Sequence, residues 1–308
     1  MKRCVKCSQK AVVYLPHHRI ALCKEHYLEW FERRVERTIR EFRMFSKNDR
    51  VLVAVSGGKD SLSLWHALHR LGYQADGLYI NLGIGEYSKL SEEKAKKFAQ
   101  SLGRTLHVIR LKDVVEDIPT LKEIEKRPAC SVCGNLKRYY MNKSAKELGF
   151  SVIATGHNLD DESATLMGNV LSWNLGYLQR QYPVLKEGNG FVRKVKPLCL
   201  ITEKESALYA LLSGIDFVEE ECPYSVDASS IEYKLLLSQI EEKSPGTKLR
   251  FYLEFLRKIQ PLFKREEKLE LKPCSICGEP TSANVCTVCR LKQRLTLSKK
   301  DKVPKDST

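Results

Sequence analysis

The stretch Ser56-Gly57-Gly58-Lys59-Asp60-Ser61 constrains this chain more than any other. It follows Val51-Leu52-Val53-Ala54-Val55, an apolar and β-branched run of the kind that forms a buried strand. It precedes Leu62-Ser63-Leu64-Trp65-His66-Ala67-Leu68, whose apolar spacing is that of an amphipathic helix. The two glycines therefore fall at a strand-to-helix turn. Adjacent glycines open backbone angles closed to other residues and let amide groups approach an anion. The helix start behind them offers free N–H groups and the positive end of a dipole. Lys59 adds a mobile charge and Ser61 a hydroxyl donor. An ordinary Gly-Gly turn capped by Asp60 would explain the hexapeptide alone. Strand, hexapeptide and helix together predict a phosphate cradle. It is not a Walker A loop, because the G-K-[ST] ending is missing.

The chain has 308 residues, enough for one substantial α/β core with small appendages. A formal net charge of +14 predicts a polyanionic partner, nucleic acid before membrane. Met1-Lys2-Arg3-Cys4 carries no apolar signal core, and no apolar run is long enough to span a bilayer. A cytoplasmic location is the expectation, with no membrane partner. In a reducing compartment the 11 cysteines, mostly in short-range pairs, predict metal sites rather than disulfides.

Cys4-x-x-Cys7 and Cys23-x-x-His26 form two chelating pairs across a spacer, the pattern of a tetrahedral zinc knuckle. His17 and His18 lie in that spacer and read as loop or surface residues, since the ligand set is complete without them. Cys274-x-x-Cys277 and Cys286-x-x-Cys289 form a second knuckle. Both predict structural zinc. Between the first knuckle and the strand, residues 27–45 read as one helix with Leu28, Phe31, Val35, Ile39 and Phe42 on its apolar stripe. Arg33, Arg37 and Arg40 run beside it. They are either a solvated face balanced by Glu32, Glu36 and Glu41 or a face that tracks phosphates.

From Arg50 onward strands and helices alternate. Strands are expected at Val51–Val55, Ala75–Ile80, Leu106–Leu111 and Ser151–Thr155. Helices are expected after Ser61, over Ser91–Leu102 with a Ser N-cap, around Leu136–Leu148, over Asp160–Leu171 and over 203–214. Two more helices, broken at Ser244-Pro245-Gly246, are expected between Ser225 and Phe263. This alternation predicts an α/β fold: a doubly wound, mostly parallel sheet flanked by N- and C-terminal zinc knuckles. Ligands of such sheets bind beyond the carboxyl ends of the strands, where the hexapeptide, Tyr79-Ile80-Asn81 and Thr155-Gly156-His157 all fall. The expected units are an N-terminal zinc finger (1–26), a connecting basic helix (27–49), a catalytic domain (50–263), a linker with the second finger (264–290) and a disordered tail (291–308).

Two stretches remain. Asp160, Asp161 and Glu162 open a helix, where acids either compensate the dipole or hold Mg2+ on nucleotide phosphates; His157 beside them reads as structural. Cys130-x-x-Cys133 is a redox pair or half of a metal site. Of the two lone cysteines, Cys199 sits in apolar Pro197-Leu198-Cys199-Leu200-Ile201, the setting of an inert thiol. Cys222 sits in the polar turn Glu220-Glu221-Cys222-Pro223-Tyr224. Three thiolates without an obvious fourth suit a cluster with one open iron.

The hexapeptide resembles the PP-loop of the ATP pyrophosphatase superfamily. Cys130-x-x-Cys133-Gly134 with Lys137-Arg138, Thr155-Gly156-His157-Asn158-Leu159-Asp160-Asp161-Glu162 and Glu221-Cys222-Pro223-Tyr224 resemble the TtuA-type tRNA 2-thiouridine synthetases, as do the framing zinc pairs. The resemblance spans about residues 1–290. It implies an ATP site of Ala54, Ser56, Gly57, Gly58, Lys59, Asp60, Ser61, Ile80, Lys137, Gly156 and Asp161. Asp60 and Asp161 would serve nucleotide and Mg2+, and Lys137 would polarise the reacting oxygen or the leaving AMP. Cys130, Cys133 and Cys222 would ligate a [4Fe-4S] cluster whose fourth iron holds sulfide. The implied partners are tRNA, a ubiquitin-like thiocarboxylated sulfur carrier and a second copy of the chain. The implied product is 2-thioribothymidine in the tRNA T-loop, made by adenylating the C2 oxygen and exchanging it for sulfur. The rival expectations are a wobble-uridine thiolase, a PP-loop amide ligase, which leaves the three cysteines idle, and a non-catalytic zinc-finger RNA-binding protein, which leaves the PP-loop idle.

Overall fold

The protein is described from a computed structural model covering residues 2–224, 229–263 and 271–301. The N-terminal knuckle holds the hairpin of β1 (Val13–Leu15) and β2 (Ile20–Leu22) and runs into α1 (Lys24–Glu41). The core then alternates: β3 (Val51–Val55), α2 (Lys59–Arg70), β4 (Ala75–Asn81), α3 (Gly85–Leu102) and β5 (Leu106–Arg110). Short helices α4 (Leu111–Val114) and α5 (Ile118–Ile124) lead to α6 (Ala129–Glu147), β6 (Val152–Thr155) and α7 (Leu159–Leu171). There follow α8 (Leu175–Arg180), β7 (Val184–Leu185), β8 (Arg193–Val195) and α9 (Glu203–Leu212). Then come α10 (Ser229–Lys243), α11 (Thr247–Glu254), β9 (Lys272–Pro273), β10 (Pro280–Thr281) and α12 (Thr287–Asp301).

The main sheet has the order β5-β4-β3-β6-β8-β7 and is parallel except for β7, which pairs antiparallel with β8. The two-residue period of its strands assigns each side chain to a layer. Val51, Val53 and Val55 pack with Phe31, Trp65 and Tyr209 from α1, α2 and α9. Leu52, Leu78, Ile80 and Ile153 pack on the opposite face with Val132, Leu136 and Leu291 from α6 and α12. Buried on both faces, the strands read as continuous apolar runs. The two knuckles sit on opposite faces of the sheet. Cys4 and Cys23 belong to the first layer, and Cys274, Cys286 and Cys289 to the second.

Several expected boundaries shift. α1 begins at Lys24 with Cys23 as its N-cap, three residues ahead of the expected helix start, so knuckle and helix are continuous. Its buried face is Tyr27, Phe31, Val35 and Ile39, with Leu28 only partly buried, because Tyr27 donates to the Glu205 carbonyl at 2.7 Å and Phe31 stacks on Tyr209 at 4.0 Å. α3 starts at Gly85, so Ser91 is a buried interior residue rather than an N-cap. α6 starts at Ala129, ahead of the expected Leu136, and carries both Cys130 and Cys133. The expected tail is partly helix: α12 continues to Asp301 and buries Leu291 and Leu295 against α6. Expected linker residues 264–270 and tail residues 302–308 lie outside the described residues, as do 225–228 at the expected start of α10.

Candidate active site

The carboxyl ends of β3, β4 and β6 open into one cavity of about 380 Å3. Ala54, Ser56, Asp60, Ser61, Ile80, Lys137, Gly156 and Asp161, all expected at the nucleotide, line it, whereas Gly57, Gly58 and Lys59 do not. The glycines act on its wall instead. Gly57 has φ of +81°, and a Cβ there would lie 2.9 Å from the Ser91 carbonyl oxygen. Only glycine holds that turn without strain. Gly58 is the N-cap of α2. Gly156 closes the cavity from β6: its Cβ would fall 2.9 Å from the Ser61 amide nitrogen. The loop is braced internally. Ser56 N donates to Ser61 Oγ at 3.1 Å, and Ser61 Oγ donates to the Gly58 carbonyl at 3.0 Å.

Of the three acids that open α7, one faces the cavity. Asp160 pairs with Lys248 and accepts from Glu203 N at 2.8 Å. Glu162 pairs with Lys196 at 2.7 Å and accepts from Tyr252 at 3.1 Å. Both are buried structural acids. Asp161 forms a capping box with Asn158 and pairs with Lys234 at 2.5 Å. Burial opposes its charge, yet the Lys234 ammonium holds the carboxyl below its usual range. Asp60 is pushed the other way, by burial first and by nearby Glu203 and Asp161, although Lys59 offsets part of the rise. Its Oδ1 is buried with no hydrogen-bond partner among the described residues. An orphaned acidic oxygen beside a second carboxylate fits a divalent cation.

Two residues of this charge network were missed by the sequence reading. Glu203 takes Lys59 Nζ at 2.7 Å, and Lys234 bridges from Glu203 at 3.4 Å to Asp161. Neither belongs to a motif; they arrive from α9 and α10, far along the chain. His157 donates to or accepts from Thr155 Oγ1 at 2.9 Å and lines the cavity. His17 and His18 lie in the β1–β2 turn, as expected of loop residues, and are partly buried, with His17 Nε2 3.0 Å from buried Glu205. On α1, Arg33, Arg37 and Arg40 reach Glu29, Glu41 and Glu36 at 3.4, 3.9 and 3.7 Å, which is the solvated-face arrangement.

The three candidate cluster cysteines gather beside this cavity. Cys130 and Cys133 lie on the first two turns of α6, and Lys137 is one further turn along from Cys133. The Cys130 thiol donates to the carbonyl of Tyr224, two residues past Cys222, at 3.0 Å. Burial, then the nearby Cys222 and Cys130, push the Cys133 thiol up, while Lys137 draws it down. The Cys222 segment is tied to the PP-loop by the Val218 amide, which donates to the Gly57 carbonyl at 2.9 Å. A soft-ligand group fits here, since three thiols share one neighbourhood with a cation next to them. Each framing set also converges. Cys4, Cys7, Cys23 and His26 place their ligand atoms within 4.8 Å of one another, as do Cys274, Cys277, Cys286 and Cys289. Either set could hold one metal ion.

Comparisons with known proteins agree with this architecture. Residues 3–28 match the family "2-thiouridine synthetase TtuA, N-terminal LIM domain" and residues 28–226 match "PP-loop domain". The tRNA-5-methyluridine(54) 2-sulfurtransferase of Thermotoga maritima is 46% identical over 98% of this chain and 99% of its own length. That of Thermus thermophilus is 50% identical over 94% of this chain and 90% of its own. The solved structure of the U34-tRNA thiolase NcsA from Methanococcus maripaludis, with its [4Fe-4S] cluster, superposes with a TM-score of 0.82 at 27% identity, covering 96% of this chain and 97% of that one. The chain belongs to the TtuA family of PP-loop tRNA 2-thiouridine synthetases.

Proposed function

We propose that this protein replaces the C2 oxygen of the T-loop 5-methyluridine of tRNA with sulfur, at the expense of ATP. The observation that carries the reading is the position of Lys137. It lines the PP-loop cavity and stands one helical turn from Cys133, joining the nucleotide site to the thiols. The relatives named for position 54 are 46% and 50% identical, against 27% for the U34 thiolase, which supports the T-loop over the wobble position.

The C2 carbonyl is a poor electrophile with a poor leaving oxygen. Its oxygen attacks the α-phosphorus of ATP, and the bond to pyrophosphate breaks. The N-terminus of α2, with Gly57, Gly58, Lys59 and Ser61, neutralises the departing pyrophosphate. Asp60 and Asp161 would hold Mg2+, which would screen the phosphates. Ala54, Ile80 and Gly156 shape the nucleotide pocket. Lys137 steadies the charge on the uracil oxygen and then on AMP. Sulfide adds at C2, the C–O bond breaks and AMP leaves; oxygen is exchanged for sulfur with no net redox change. Cys130, Cys133 and Cys222 would hold a [4Fe-4S] cluster, which would supply an iron site for sulfide. A ubiquitin-like carrier thiocarboxylate delivers the sulfur, the enzyme works as a homodimer in the cytoplasm, and the target base is flipped out of the T-loop to reach the cavity.

Labelled ATP with tRNA and a sulfide source is expected to yield AMP and pyrophosphate; ADP would refute the PP-loop assignment. Mass spectrometry of tRNA from a strain lacking the protein should show 2-thiolation missing at position 54; loss at position 34 instead would transfer the assignment to the wobble base. Both framing sets hold zinc in a structural role, because four ligands leave no open position. Metal analysis should therefore find two zinc ions per chain. Cys274→Ala should lose one of them and retain iron, and loss of iron in that variant would mean the cysteines are wrongly paired.

A further inference from the structure

A groove of about 470 Å3 runs between the turn at Glu125–Arg127 and the start of α12. Lys126, Arg127, Arg290 and Arg294 line it together with Thr287, against one acid, Glu125. The acid is built in rather than solvated: its side chain is 3% exposed. Arg127 donates to Glu125 Oε2 from Nε at 3.1 Å and from Nη2 at 2.9 Å, and Arg294 donates to Oε1 at 2.9 Å. One buried carboxylate thus fixes two guanidinium groups on opposite walls, and half of their charge is left over. Lys126 and Arg290 line the groove with exposed side chains. Both walls connect to α6, the helix that carries Cys130 and Cys133. Val288, Leu291 and Leu295 of α12 share a core with Val132 and Leu136 of α6. The other wall passes through Pro128 directly into the α6 turn that carries exposed Cys130.

We infer that this groove holds the phosphate backbone of the tRNA substrate, an inference that rests on the thiolation reading. The surplus positive charge matches a polyanion, and the groove's edge is the turn where sulfur would be handed over. The α1 arginines, each matched by a glutamate of the same helix, are the weaker candidate.

The test uses the full-length protein with unmodified tRNA, titrated with salt in a filter-binding assay. Lys126→Ala/Arg290→Ala should weaken binding roughly tenfold and lower the log–log salt slope by about one per cation removed. Neither side chain braces the fold or lines the nucleotide cavity, so ATP binding should be unchanged. Arg33→Ala/Arg37→Ala should change the slope by less. If the wild type binds and thiolates tRNA but the groove variant keeps its affinity and slope, the inference fails. A groove variant that binds tRNA normally yet loses sulfur delivery from the carrier also overturns it, by assigning the groove to a protein. A wild type that neither binds nor thiolates tRNA refutes the thiolation reading itself and the groove with it.

Discussion

Cys222→Ser is expected to abolish tRNA thiolation and bleach the visible absorbance of anaerobically purified protein, whereas Cys199→Ser should leave both intact. The two cysteines compete for the third place beside Cys130 and Cys133, and the sheet separates them. Cys199 is fully buried in the layer of α1, α2 and α9, with Leu198 and Ile201. Burial pushes its thiol well above the ordinary range, so a thiolate is strongly disfavoured there. Cys222 packs against the opposite layer, with Cys133, Tyr87 and Tyr224. Its segment is held in place from two sides. Val218 donates to Gly57, and Lys94 donates to Asp216 at 2.7 Å and to the Phe217 carbonyl at 2.7 Å. Two thiolates alone hold a cluster poorly, so removing the third should cost iron as well as activity. Iron content gives a readout separate from turnover. Should Cys222→Ser retain full iron while Cys199→Ser loses it, the ligand set would have to be redrawn across the sheet.

Much of this could be read from the residues because the features are local. The run Val51–Val55 became β3 with the same bounds, since five apolar residues before a Gly-Gly turn have few other uses. The paired Cys and His ligands of each knuckle converge because a C-x-x-C or C-x-x-H turn brings its two ligand atoms together locally. The start of α6 was not legible. Pro128-Ala129-Cys130-Ser131 carries no cap signal, and the helix begins without a side-chain cap, its first turns anchored by Val132 in the core. Spacing alone did not separate Asp160, Asp161 and Glu162, although the family resemblance singled out Asp161, the one that lines the cavity. Three adjacent acids point around a helix at about 100° intervals, and which one meets the cavity depends on Lys248, Lys196 and Lys234 arriving from elsewhere. Glu203 illustrates the same limit. It pairs with Lys59 across 144 residues, and no motif spacing encodes such a contact.

Gly156→Ala should leave the protein folded but reduce turnover roughly a hundredfold. Gly156 follows β6 and abuts the first turn of α2, which carries Asp60 and Ser61. A methyl group there would stand 2.9 Å from Ser61 N, 3.0 Å from the Asp60 carbonyl carbon and 3.0 Å from Ser61 Cα. All three are backbone atoms, so no side chain can rotate away. The strand end and the helix start must separate by a few tenths of an ångström. β3 and β6 are adjacent parallel strands with Val51 facing Val152, and their pairing resists that movement at the base. The displacement therefore concentrates at the loop tips, where the proposed mechanism needs the α2 amides, Asp60 and Asp161 to meet the same phosphates. Stability should fall by only about 1–3 kcal/mol, the range for overpacking, so a thermal melt distinguishes misplacement from unfolding. A Gly156→Ala protein that melts slightly lower yet produces AMP at the wild-type rate would show that this contact does not set the geometry of the site.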